Sequence, residues 1–242
     1  MSNILLIGKD FPDSLDFAEG LAQGGNLVFT SQKSEDDNSR FESEGIFTTN
    51  WNKSSSISAH SLIIKAETKF TNTDNIIFYF DSSYFCNQFE LDKTEEVTEA
   101  TDNMITAYLY SAGEALKRIN QRKEKITVTF LLREYPSKTD ILLNPKGQNV
   151  LPASSIVNIA QQAFIALAEN FATNVNDNDY LSVILAKCNI SNELYKNEKA
   201  IARWCVDSFK TVSNLKNKQT VKHAANWNKV GAKISAGFIL FR

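Results

Sequence analysis

Two hydrophobic rhythms alternate along the chain. The unbroken apolar run NILLIG (Asn3–Gly8) is followed by LDFAEGLAQGG (Leu15–Gly25), whose apolar positions recur at helical spacing, and then by NLVFTS (Asn26–Ser31). These predict a strand, a helix closed by Gly24 and Gly25, and a second strand, which together make a βαβ unit. The alternation continues with a brief strand at Ile46–Thr49, a helix over Ser55–Phe70 and a buried strand at Asn75–Phe80. Further strands are predicted at Lys125–Leu132 and Asp179–Cys188, a helix at Lys199–Val212, and a last strand in AKISAGFILF, Ala232–Phe241. Strands that alternate with helices build a parallel sheet, so the fold class is α/β. The polar stretch Ser31–Gly45 reads as a loop or short polar helix.

Two helices carry more apolar residues than one core-facing stripe needs. Over 94–121 these include Val97, Met104, Tyr108, Leu109, Ala112 and Leu116, and over 153–173 they include Ile156, Ile159, Ala163, Phe164, Leu167 and Phe171. Helices of that kind are buried on two sides.

Composition narrows the partners. The 242 residues suit one α/β domain, 1–242, with no interdomain linker or internal repeat. With 26 basic and 28 acidic residues there is no electrostatic footprint for nucleic acid or a membrane surface. The basic run Ser213–Lys229 lacks regular aromatic interleaving and reads as a solvated connection. Three scattered cysteines and two histidines offer no metal-ligand spacing. No apolar run approaches the roughly 20 residues that span a bilayer, and no cleavable leader is evident. A reduced, cytoplasmic, metal-free protein is expected.

The first βαβ unit carries the candidate chemistry. GKDFPDS (Gly8–Ser14) lies where a dinucleotide-binding protein keeps glycines, which let pyrophosphate approach the N–H groups of the next helix. Pro12 has no N–H to offer, and its φ is fixed near about −65°. Asp10 and Asp13 bring carboxylates to the place of phosphate charge, where like charges at about 4 Å repel by about 1 kcal/mol in water and about 4 at an effective dielectric of about 20. Asp13 or Ser14 is expected to cap the helix, with Asp16 favourable in its first turn.

With LIGKDFPDSLDFAEGLAQGGNLVFTSQ laid on its first βαβ unit, the chain resembles the short-chain dehydrogenase/reductase family over its full length. Gly8 matches the first position of the family's TGxxxGxG motif, and Asn50-Trp51 the acidic and apolar pair at its adenine pocket. NIIFYFDS matches the strand ending in NNAG, and Asn103 the asparagine of its long interface helix. The resemblance implies a Rossmann-like doubly wound sandwich with a seven-stranded parallel sheet and helices on both faces.

It also implies a serine, a tyrosine and a lysine four residues on, to hold the substrate and move its proton. Pro152 and Ile156 fall near the tyrosine and lysine positions, and TFLLRE (Thr129–Glu134) has no serine. Lys187-Cys188 replaces Pro-Gly, and the substrate lid is cut to about Ile190–Glu198. Tyr195 and Lys199 match YxxxK by chance, off the expected helix; Tyr135 is the best substitute acid. The expectation is thus a non-catalytic assembly or binding module with no cofactor. The rivals are an NAD(P)-dependent oxidoreductase using Tyr135 or Asp81, and a binder of another ligand in a cleft lined by Phe11, Tyr79 and Phe80. If a dinucleotide binds, Gly8, Ser31, Asn50 and Asp81 would contact it, with Ser31 and Lys33 favouring NADP. In the family the two broad helices pair across a twofold, so a homodimer or homotetramer is expected through 94–121 and 153–173, with Tyr108, Tyr110, Phe164 and Phe171 left outside the monomer core.

Overall fold

The computed structural model describes residues 1–33, 39–86, 88–89, 93–143, 151–214 and 226–234. Its strands are β1 (Asn3–Phe11), β2 (Leu27–Gln32), β3 (Ile46–Asn50), β4 (Asn75–Asp81), β5 (Ile126–Arg133), β6 (Leu181–Cys188) and β7 (Asn228–Lys229). They pair in parallel in the order β3-β2-β1-β4-β5-β6-β7. The chain winds outward in one direction from β1 and in the other from β4, so the strand ends beside this pair form the topological switch point where such sheets keep their ligands.

The helices are α1 (Leu15–Ala22), α2 (Ser56–Phe70), α3 (Ser82–Phe85), α4 (Val97–Thr101), α5 (Ala107–Arg122), α6 (Lys138–Leu143), α7 (Ser155–Asn174) and α8 (Glu198–Ser213). Alternate strand residues point to opposite faces. Leu5, Ile7, Phe78, Phe80, Phe130 and Leu132 pack under α2, α5 and α7. Ile4, Leu6, Ile77, Tyr79, Leu131 and Ile184 pack under α1 and α8. Burial on both faces explains why these strands read as continuous apolar runs, and each such side chain contributes about 1.5–3 kcal/mol. The doubly wound Rossmann-like sandwich is thereby established. No helix among the described residues is long and apolar enough to cross a membrane.

Four expectations need correction. β1 runs through Phe11, three residues beyond the strand predicted to end at Gly8. The helix over 94–121 is interrupted: a 3-10 turn at Thr94–Glu96 leads into α4, and a wider π turn at Asp102–Thr106 separates α4 from α5. The seventh place in the sheet belongs to Asn228–Lys229, paired with Ala186 and Lys187. After it Gly231, at φ 87°, turns the chain away, so Ala232–Ile234 are not strand, and the rest of the predicted last strand lies outside the described residues. Finally, Tyr108, Phe164 and Phe171 are buried in the monomer core. Their rings pack with Phe80 and Phe130 at centroid separations of 5.2–5.8 Å, contacts that sequence spacing alone does not reveal. Tyr110 stays outside, joined by Leu109 (52% exposed) and Ile159 (57% exposed).

Candidate functional site

The geometry of the switch point begins with a bulge in β1. Its pairing with β2 holds through Leu6↔Thr30 and resumes at Phe11↔Gln32, so four residues, Ile7 to Asp10, stand opposite Ser31 alone. Such an insertion bends the strand and re-aims its side chains. Gly8 lies in this bulge against β4: a Cβ there would come 2.3 Å from the Tyr79 carbonyl oxygen. That carbonyl accepts the buried Tyr108 hydroxyl at 2.7 Å.

The next residue, Lys9, points into the molecule and is only 4% exposed. Its ammonium lies 3.0 Å from Asp81 Oδ2 and 2.6 and 2.8 Å from the two oxygens of Glu198. Arg133, at the end of β5, completes the cluster: its Nη1 donates to Asp81 Oδ2 at 3.0 Å and to Glu198 Oε1 at 2.8 Å. Strand register brings these residues together, since Asp81 pairs with Arg133. Glu198 arrives from the opposite side, in the first turn of α8. Each cation therefore sits between two carboxylates, and the four charges balance.

Aromatic rings wall the cluster. Lys9 lies 5.4 and 5.6 Å from the Tyr79 and Tyr84 ring centres, and the Arg133 guanidinium 4.5 Å from that of Tyr195, within cation–π range. Asp81 also accepts the backbone N–H groups of Ser83 and Tyr84 and the Ser83 hydroxyl, capping α3. Burial pushes the Asp81 carboxyl up, but Lys9 and Arg133 outweigh it and hold it below the usual carboxylate range. Burial raises the Tyr79 and Tyr195 phenols far above their ordinary value, so the rings act as neutral walls.

Asp10 faces the other way. It accepts the Ser31 hydroxyl at 2.6 Å and the Lys53 ammonium at 2.7 Å. Asp13 lies further out, where it accepts Lys33 and the Tyr84 hydroxyl, both at 2.7 Å. Burial works against its charge, and these two partners bring its pKa below the ordinary value. The expected side-chain cap of α1 does not form. Ser14, at φ −89° and ψ 3°, lacks the extended backbone that turns a capping hydroxyl toward the helix. Its hydroxyl is buried without a partner. The backbone closes the turn instead: Ser14 N–H donates to the Asp10 carbonyl at 3.2 Å and Leu15 N–H to that of Pro12 at 2.9 Å.

Beyond Asp10 an open groove of about 490 Å³ separates the ends of β2 and β3 from α4 and the π turn. Trp51 and Lys53 line one side, and Glu95, Glu99, Asp102 and Asn103 the other.

The residues singled out in the sequence are scattered. Gly8 abuts β4, Ser31 serves Asp10, Asp81 belongs to the ion cluster, and Asn50 is exposed at the end of β3. Phe11 packs against Phe41, Tyr79 against Phe17, and Phe80 against Phe85, all in the core. Lys199 pairs on the surface with Glu19 of α1 at 2.6 Å, while Tyr195 is buried over Arg133. Pro152 is exposed ahead of α7, and Ile156 is buried in its first turn. Tyr135 donates its backbone N–H to Gln161, which also accepts the Ser82 hydroxyl. Burial, then the neighbouring Cys86, raise the Tyr135 phenol. Among the described residues no group of side chains forms a metal site.

Lys9, Arg133 and Glu198 were missed as site residues, although a signal existed. Lys9, Asp81 and Arg133 each follow a long apolar run, at the ends of adjacent parallel strands. Charges in that position meet at the switch point.

No family model matches the chain, and no curated protein matches it in sequence. Solved structures do. A short-chain dehydrogenase from Mycobacterium smegmatis superposes with a TM-score of 0.66 at 12% identity, over 97% of this chain and 93% of that one. An alcohol dehydrogenase from the archaeon Thermococcus sibiricus, complexed with 5-hydroxy-NADP, gives 0.58 at 13% identity, over 95% and 96%. An enoyl-(acyl-carrier-protein) reductase from Anaplasma phagocytophilum in complex with NAD gives 0.53 at 14% identity, over 77% and 68%. TM-scores of 0.53–0.66 over 77–97% of this chain agree: the chain has the fold of the short-chain dehydrogenases/reductases.

Proposed function

We propose that this chain is a non-catalytic module on the short-chain dehydrogenase/reductase fold, kept for assembly or for binding a partner. One observation carries the reading: the chain's own Lys9, Asp81, Arg133 and Glu198 fill the switch point, where a dinucleotide-binding sheet of this kind holds its ligand. Opening the cluster separates buried charges, at several kcal/mol for each ion left unpaired.

The neighbouring residues do not fit NAD(P) either. Pro12 has no N–H, the N–H groups of Ser14 and Leu15 are already bonded to carbonyls, and Asp10 and Asp13 carry the sign of phosphate. Gly8, Ser31 and Asp81 have structural duties that account for them. Proton transfer lacks its parts as well: Arg133 ends the strand where a serine would be needed, and Tyr135 has a raised pKa with no lysine among the described residues acting on it.

The test is turnover. Purified protein given NADH or NADPH with a panel of aldehydes and ketones, or NAD or NADP with alcohols, should give the rate of the protein-free control. Turnover abolished by Tyr135→Phe or Lys9→Met would overturn the reading. The rival NAD(P)-dependent oxidoreductase draws support from the likeness of fold to the Thermococcus sibiricus alcohol dehydrogenase. The groove of about 490 Å³ favours the other alternative, a small ligand held beside the closed switch point. Leu109, Tyr110 and Ile159 support a homodimer or homotetramer through α5 and α7, with these side chains rather than the buried aromatics as the contact. The three unpaired cysteines are in keeping with a cytoplasmic protein.

A further inference from the structure

The four charges of the switch point are not equivalent. Asp81 belongs to the frame: it ends a central strand and is held by the N–H groups of Ser83 and Tyr84 and the Ser83 hydroxyl. Glu198 comes from outside the sheet, carried in by the turns of the connection between β6 and α8. Its carboxylate is held by two cations, Oε1 by Lys9 and Arg133 at 2.6 and 2.8 Å and Oε2 by Lys9 at 2.8 Å. Without Glu198 the frame of Lys9, Arg133 and Asp81 carries one net positive charge behind aromatic walls. Arg133 Nε is a further donor there, buried and without a hydrogen-bond partner.

We propose that Lys9 and Arg133 form a carboxylate-binding site at the switch point, which Glu198 occupies and closes as the chain's own ligand, so that a small external monocarboxylate enters only where the Glu198 carboxylate is removed. One buried net charge calls for one monoanion, and two convergent donors with a third unused favour a planar carboxylate over a spherical halide. This rests on the cluster and not on the lack of catalysis: dinucleotide turnover would sink the preceding reading and leave this one standing.

Glu198→Ala removes the atoms of an acetate ion, a methylene and a carboxylate, so acetate is the probe. Thermal unfolding of the full chain is followed in sodium acetate and in sodium chloride at equal ionic strength. Acetate should raise the midpoint of Glu198→Ala saturably, and leave wild type and Glu198→Gln, whose side chain fills the space, no more stable than chloride does. With a dissociation constant of about 10 mM, about 100 mM acetate would raise the folding equilibrium constant roughly tenfold. Adding Lys9→Met to Glu198→Ala should abolish the response. Equal effects of acetate and chloride on Glu198→Ala, or the same rise in Glu198→Gln, would overturn the proposal. If Glu198→Ala is unfolded in chloride, refolding by dilution into each salt is the readout: recovery in acetate alone supports the site, and failure in both overturns it.

Discussion

Asp81→Asn isolates the charge at the centre of the ion cluster. Asparagine has nearly the same shape and is itself a good helix cap, so the contacts to Ser83 and Tyr84 can persist while the charge is lost. Lys9 and Arg133 each lie 3.0 Å from Asp81 Oδ2, and at an effective dielectric of about 20 each contact amounts to about 5–6 kcal/mol of attraction before desolvation. The carboxylate is 1% exposed, so its removal leaves two buried cations facing Glu198 alone. Breaking a buried pair in this way costs about 3–5 kcal/mol, and the retained cap places the expected loss near about 3. For a chain of this size that lowers the thermal midpoint by about 6–12 °C. Urea unfolding followed by circular dichroism measures the loss. Adding Lys9→Met restores neutrality, since Arg133 and Glu198 remain paired, so the double variant should be more stable than the sum of the single losses implies by about 0.5–3 kcal/mol. A single loss below about 1 kcal/mol, or strict additivity, would refute the account of a charge-balanced cluster.

The same carboxylate sets part of the acid limb of stability. Its folded pKa lies below the ordinary 3.8, so its contribution is complete above that value and is lost as pH falls through the lower folded value; the urea midpoints of wild type and Asp81→Asn should start to approach each other only below about pH 3.8. Gly8→Ala should destabilise by about 1–3 kcal/mol, because its Cβ meets the Tyr79 backbone at 2.3 Å; a variant as stable as wild type in urea would contradict that packing. If α5 and α7 form the interface, Leu109→Asp with Ile159→Asp should convert a dimer to monomer in sedimentation at micromolar concentration with the circular dichroism spectrum unchanged, and a wild type that already sediments as monomer would reject it.

The sequence made the sheet legible because each central strand is buried on both faces and so reads as an apolar run. It was less informative wherever tertiary contacts override local pattern. Tyr108 and Phe164 looked surplus to a single helical stripe, yet they pack on each other and on Phe80 of β4 and Phe130 of β5. Ser14 had the composition of a cap, but its backbone, at φ −89° and ψ 3°, is not the extended form that turns a capping hydroxyl toward the helix. Gly8 was singled out for a phosphate loop, whereas its requirement in the structure lies in the approach of β1 to β4. The cluster itself depends on Glu198, about 190 residues from Lys9 in the sequence. Its three strand residues, Lys9, Asp81 and Arg133, could be read from charges after apolar runs; the partner delivered by α8 could not.

The central claim is that the chain's own charges occupy the place of a dinucleotide. Titration of the purified protein with NADH and with NADPH, followed by calorimetry and by nicotinamide fluorescence up to millimolar concentration, tests it most directly. No saturable heat and no change in fluorescence are expected from either. Saturable binding that Lys9→Met or Gly8→Ala alters would contradict the claim.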